Sequence, residues 1–142
     1  ALEKAYAEIV ENLHGEPYEG ILVQEMVKGE REFVIGLIRD PQFGPCVMFG
    51  LGGIYTEVLK DTSFRVAPLE KYDALQMMEE IRAKALLESF RGKPPVDREA
   101  LAAALIAVGD IGMKYDAVKE IDINPVIIAG DKPVAVDALI VL

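Results

Sequence analysis

The stretch Glu120–Leu142, EIDINPVIIAGDKPVAVDALIVL, constrains this chain more than any other, because it reads as a β-hairpin whose register can be counted. Runs of Val and Ile mixed with polar residues flank Gly130 and Asp131, a pair suited to the positive φ and sharp reversal of a two-residue loop. Such a loop pairs 129 with 132, and counting back along both strands sets Asn124 opposite Asp137. A four-residue loop keeps that register, whereas a three-residue loop breaks it. Side chains alternate across a strand, so Glu120, Asp122 and Asn124 share one face while Ile121 and Ile123 take the other. One face therefore belongs to a core, and its opposite carries a row of oxygens.

That row has a chemical use. Directly opposed residues hold their Cβ atoms about 4.5–5.5 Å apart, so an Asn124 amide oxygen and an Asp137 carboxylate can share one hard cation. Mg²⁺ takes a few protein oxygens and completes its octahedron with water and phosphate, and Asp122 is placed as a further acceptor. A solvated polar face is the other reading of the same alternation. Spacing alone leaves both open.

Upstream, the period of the apolar residues changes twice. Leu2, Ala5, Tyr6, Ile9, Val10 and Leu13 recur at helical spacing, predicting an amphipathic helix over 2–14 that Gly15 terminates. From Ile21 the segments ILVQEMV, REFVIGLIR, PCVMF, IYTEVL and SFRVA are short, rich in β-branched and aromatic residues and divided by turn formers, which predicts an antiparallel meander. Leu75, Met78, Ile81, Ala85 and Leu86 restore the helical period. Asp97 is placed to N-cap a last helix carrying Leu101, Leu105 and Val108, after a connector, FRGKPPVD, that its prolines keep out of helix. Strands and helices segregated in this way predict an α+β domain, mainly antiparallel sheet with helices packed on one face and the other face left for a ligand or another domain.

Charge narrows what that ligand can be. The formal net charge of −9 excludes an electrostatic grip on nucleic acid or on an anionic membrane. An anionic ligand would need a metal or local cationic help. No apolar run approaches the ~20 residues that span a bilayer, and Cys46 as the only cysteine leaves no internal disulfide or thiolate zinc site. A reducing, cytoplasmic setting is expected. The glycines of FGLGG precede a strand, not a helix, so they form no dinucleotide fingerprint; they make either a tight bend or a nest of N–H groups for an anion. Arg65 is a fixed positive charge that can lie against a phosphate and Glu57 a group that can order a neighbouring loop, or each is half of a surface pair.

EIDINPVI followed by VAVDALIVL, together with GILVQEMVKG, RDPQFGPCVMFGLGGIYTEVLKDTSFRVAPL and LLESFRGKPPVD, resembles the ATP-grasp (beta) subunit of ADP-forming acetate (acyl) CoA ligases, relatives of succinyl-CoA ligase. The resemblance runs from about Gly20 to Leu142. It implies that residues 1–142 are the larger ATP-grasp subdomain, with the smaller N-terminal lobe outside them. Asn124 and Asp137 match the two Mg²⁺ ligands, with Asp122 beside them. Gln24, Glu25, Met26 and Val27 fall on the hinge that edges the adenine of ATP or ADP, Glu25 or Glu32 falls near the nucleotide, and Gly52 and Gly53 face the phosphoryl-transfer centre; without the resemblance the hinge segment reads as an ordinary hairpin with solvent-facing Glu residues. The implied partner is a CoA-binding alpha subunit or domain carrying a phosphohistidine, in a hetero-oligomer. The implied reaction is acyl-CoA + ADP + phosphate to acid + CoA + ATP. His14 matches no phosphohistidine motif and is assigned to the end of its helix. Another ATP-grasp CoA ligase, a fused acyltransferase module or a non-catalytic assembly domain are the alternatives.

Overall fold

The computed structural model describes residues 1–53, 60–89 and 91–142. Helix α1 (Leu2–Asn12) is followed by strands β1 (Glu32–Asp40), β2 (Gly44–Leu51) and β3 (Thr62–Val66). Helix α2 (Lys71–Glu80), a 3-10 helix (Arg82–Leu87) and helix α3 (Arg98–Lys114) precede strands β4 (Glu120–Ala129), β5 (Lys132–Ala135) and β6 (Ala138–Val141). All pairings are antiparallel, in the order β3-β2-β1-β4-β5, with β6 running beside β4 past the end of β5. The architecture is the α+β layer that the alternating periods predict.

Alternation along the strands sorts the sheet into two faces. Phe33, Ile35 and Leu37 of β1 and Val47 and Phe49 of β2 are buried beneath α2 and α3, which contribute Met77, Met78, Leu101, Leu105 and Val108. The Phe33 and Phe49 rings stack with centroids 5.4 Å apart. Asp97 accepts the Ala100 N–H at 3.0 Å, so the expected cap starts α3. The residues between these core positions look the other way, and among the described residues no helix covers them.

Three local expectations change. ILVQEMV forms no strand: among the described residues nothing pairs with it, and Leu22, Val23 and Met26 are exposed. β-branched composition favours a pleated, half-buried surface, and here no neighbouring strand supplies one. The helix after Pro68 stops at Ile81, whose extended backbone separates α2 from the 3-10 turn. The Asp61 carboxylate captures the Arg82 and Ala83 N–H groups at 2.7 Å each, starting a new turn where a continuous helix was expected. IYTEVL, with Glu57, lies outside the described residues.

Candidate functional site

The register counted from the hairpin is the one observed. Ala129 pairs with Lys132 across Gly130, whose φ of +69° makes the reversal, and the count runs unbroken through Val126 with Ala135 and Ile123 with Ala138. Between these ladders the Asn124 N–H donates to the Asp137 carbonyl at 3.2 Å, and the Val136 N–H donates to the Pro125 carbonyl at 3.1 Å. Asn124 and Asp137 are therefore direct neighbours on adjacent strands, and both are exposed. The Asp137 Oδ1 accepts the Ala138 N–H at 2.9 Å, which orients its carboxylate.

Strict alternation fails just past Asn124. β1 sets Ile35 against Ile123 but Phe33 against Val126, so β4 spends one more residue than β1 over that interval. The core face changes from Ile121 to Val126 and Ile128, the signature of a β-bulge at Asn124–Pro125. That peptide is cis. The bulge ends the row of oxygens at Asn124 and hands the strand back to the core beyond it.

Glu120, Asp122 and Asn124 border a groove of about 380 Å³ on the uncovered face, floored by Val34 and Gly36 of β1. Gly36 pairs with both Asp122 and Met48, and its lack of a side chain lowers the floor between them. Ile38, Met48 and Phe64 form the apolar side of the same groove. Periodicity had not singled these residues out; the only signal was a glycine inside an apolar strand run, which marks a close approach.

Glu32 and the glycine residues converge on the start of β1. The Gly52 N–H donates to the Glu32 carbonyl at 2.9 Å, and a Cβ at Gly52 would lie 2.8 Å from the Phe33 backbone. Gly53 has φ +76°, and the Glu32 carboxylate would be 2.9 Å from a Cβ there. Glu32, Gly52 and Gly53 are thus one cluster. Gln24 and Met26 line a second, apolar groove of about 440 Å³ against Leu2, Tyr6 and Ile9 of α1, while Met26 and Val27 border a polar hollow with Lys28, Glu30 and Lys93. Glu25 lies between them and is exposed.

Arg65 goes elsewhere. On β3, Phe64 faces the open groove, so Arg65 projects to the helical side, where its guanidinium is bonded to both carboxylate oxygens of Glu80 on α2. That contact, more than the Coulomb attraction, holds the Glu80 carboxyl below its ordinary range. The structure does not bring Arg65 to the oxygens of β4.

Known proteins resemble this arrangement along its whole length. A family model described as an ATP-grasp domain matches residues 1–142. Acetate–CoA ligase [ADP-forming] I subunit beta of Pyrococcus furiosus is 51% identical over 123 residues, covering 87% of this chain and 53% of that protein. A 4-hydroxybutyrate–CoA ligase [ADP-forming] of Nitrosopumilus maritimus is 40% identical over 110 residues, 78% of this chain and 16% of that protein. Among solved structures, the acetyl-coenzyme A synthetase 1 of Ca. Korarchaeum cryptofilum in complex with coenzyme A and Mg-AMPPCP superimposes with a TM-score of 0.88 at 51% identity. The match covers 99% of this chain and 62% of that one. The chain spans about half the length of the Pyrococcus subunit, and a much smaller part of the larger ligase.

Proposed function

From the premise that this chain belongs to the ATP-grasp domain family, we propose that it is the nucleotide- and Mg²⁺-holding part of an ADP-forming acyl-CoA ligase. The overall reaction is acyl-CoA + ADP + phosphate to acid + CoA + ATP. One observation carries the reading: the backbone pairing of Asn124 with Asp137 sets an amide-bearing and a carboxylate-bearing residue side by side on adjacent strands, with Asn124 bordering the groove. The relatives that share this chain's fold are named for that reaction, and one was solved with Mg-AMPPCP.

The donor set fits a hard divalent cation. Asn124 and Asp137 would hold it, with Asp122 able to accept from its coordinated water. A bound Mg²⁺ neutralises charge on the phosphate oxygens of the nucleotide. The chain's own residues do the rest by placement. The Gly52–Gly53 bend packs directly against Glu32 and Phe33, an approach that a side chain at either glycine would block. The backbone of Glu25–Val27 reads the base edge. The Gly36 floor and the apolar side of Ile38, Met48 and Phe64 shape the space beside the oxygens.

In the transfer itself the P–N bond to a histidine of the partner subunit breaks, and a P–O bond to the terminal phosphate of ADP forms. Little covalent chemistry falls to this chain, so catalysis rests on position and charge. The CoA-binding alpha subunit or domain that carries the histidine and the smaller ATP-grasp lobe are the partners this requires. The Korarchaeum structure was described with its phosphohistidine segment pointing towards the nucleotide binding site, which supports the pairing.

ATP formation by the assembled enzyme, measured with acyl-CoA, ADP and phosphate, tests the proposal. Asn124→Ala should cut turnover by about 10²-fold or more while leaving the melting temperature unchanged. Full turnover in that variant, or an enzyme that binds its partner but no nucleotide, would favour the assembly-domain reading.

A further inference from the structure

Arg31 is 2% exposed, and among the described residues no carboxylate pairs with it. Its guanidinium donates instead to four backbone carbonyls. Nη1 reaches Leu86 at 3.3 Å, Glu88 at 3.4 Å and Pro94 at 3.0 Å, and Nη2 reaches Gly130 at 2.7 Å. A buried charge is a costly way to fill space, and only the planar fork of arginine can serve several acceptors from different segments at once.

The segments it joins are those that carry the two ends of the proposed site. Four residues before Arg31 is Val27, the last of the base-reading hinge; Gly130 is the turn of the hairpin that holds Asn124 and Asp137. Other contacts reinforce the same seam. A Cβ at Gly29 would lie 2.4 Å from the Ile127 side chain, so the segment leaving the hinge touches β4 without a side chain between them. The Ile128 N–H donates to the Arg31 carbonyl at 2.9 Å, Lys93 meets Glu30 at 2.6 Å, and the Asp97 N–H donates to the Asp131 carbonyl at 2.8 Å.

We infer that Arg31 is a positioning residue for the nucleotide: it fixes the distance between the base-reading hinge and the metal-holding hairpin, so that one ligand can engage both. This rests on the proposed nucleotide site. Two subsites held at a fixed span bind a joined ligand far better than either binds its half, and slack in the span removes that advantage.

Arg39 supplies the control. At the opposite end of β1 it makes a similar clamp, donating to the Val118 carbonyl at 2.9 Å, the Gly112 carbonyl at 2.6 Å and the Tyr115 carbonyl at 3.0 Å, with the Asp116 carboxylate 4.0 Å away and, among the described residues, no contact to hinge or turn. MgADP affinity of the assembled enzyme is measured by calorimetry for wild type, Arg31→Lys, Arg39→Lys and Asp137→Ala. Arg31→Lys should weaken MgADP by about tenfold with the KM for acyl-CoA unchanged, whereas Arg39→Lys should lower the melting temperature with MgADP affinity within twofold of wild type.

Equal MgADP affinity in wild type and Arg31→Lys would overturn the inference and leave the nucleotide site standing. Equal affinity in wild type and Asp137→Ala would overturn the site and the inference together. Hydrogen exchange on the wild type gives a readout that needs no variant. MgADP should slow the amides of Ile128 and Asp97 and leave the Arg39 amide, bonded to Lys119, unchanged. No slowing at Ile128 and Asp97 would also overturn it.

Discussion

The two faces of the sheet are built from neighbouring residues of the same strands, yet they meet different demands. On one, Phe33, Ile35, Leu37, Val47 and Phe49 are sealed under α2 and α3. On the other, one residue along, Gly36, Ile38, Met48 and Phe64 lie open beside Glu120, Asp122 and Asn124. Stability is concentrated on the covered face and the proposed ligand chemistry on the open one. A period of two lets a single strand serve both without compromise.

The sharpest way to break that division is to cut the covered face. Phe49→Ala removes a fully buried, stacked ring and should cost about 3–5 kcal/mol in a denaturant titration. MgADP affinity, measured on the fraction that remains folded, should be unchanged. A change in affinity without a loss of stability would show that the faces are not separate.

Asp97→Ala tests the covered side more gently. Losing the bond to the Ala100 N–H should destabilise by about 1 kcal/mol, visible as a lowered melting temperature. The pair of Glu80 with Arg65 tests the edge of that side. Arg65 depresses the Glu80 pKa, so the contribution of the pair is complete above the ordinary value of 4.5 and is lost as pH falls through the lower folded value. Both side chains are partly exposed, so Glu80→Gln should cost under about 1 kcal/mol at neutral pH and flatten the acid limb of stability below pH 4.5. An unchanged acid limb would show that the contact contributes nothing in solution.

What could be read from the chain follows the same division. Patterns that repeat locally were legible: the helix from Leu2, the Asp97 cap, and above all the hairpin register, which needs only Gly130 and a count. The bulge past Asn124 was not, because it depends on how β1 pairs with β4, and alternation within β4 carries no trace of its partner. ILVQEMV has strand composition without a strand, since composition reports fit to a pleated surface and not whether one is present. Arg65 reads either as a charge for a phosphate or as half of a surface pair; which way it points depends on the parity of β3 within the sheet, and Glu80 across the layer captures it. Nothing in the sequence marks Arg31. Its acceptors lie 55 to 99 residues away in sequence, and backbone carbonyls leave no mark on a sequence at all.

Calorimetric titration of MgADP into the assembled enzyme, with and without excess chelator and beside the Asp137→Ala variant, tests the central claim most directly. The account predicts binding by the wild type that disappears both with the chelator and with Asp137→Ala, in a variant that melts as the wild type does. Binding that survives in Asp137→Ala with its Mg²⁺ dependence intact would contradict it, and would place the metal away from the hairpin.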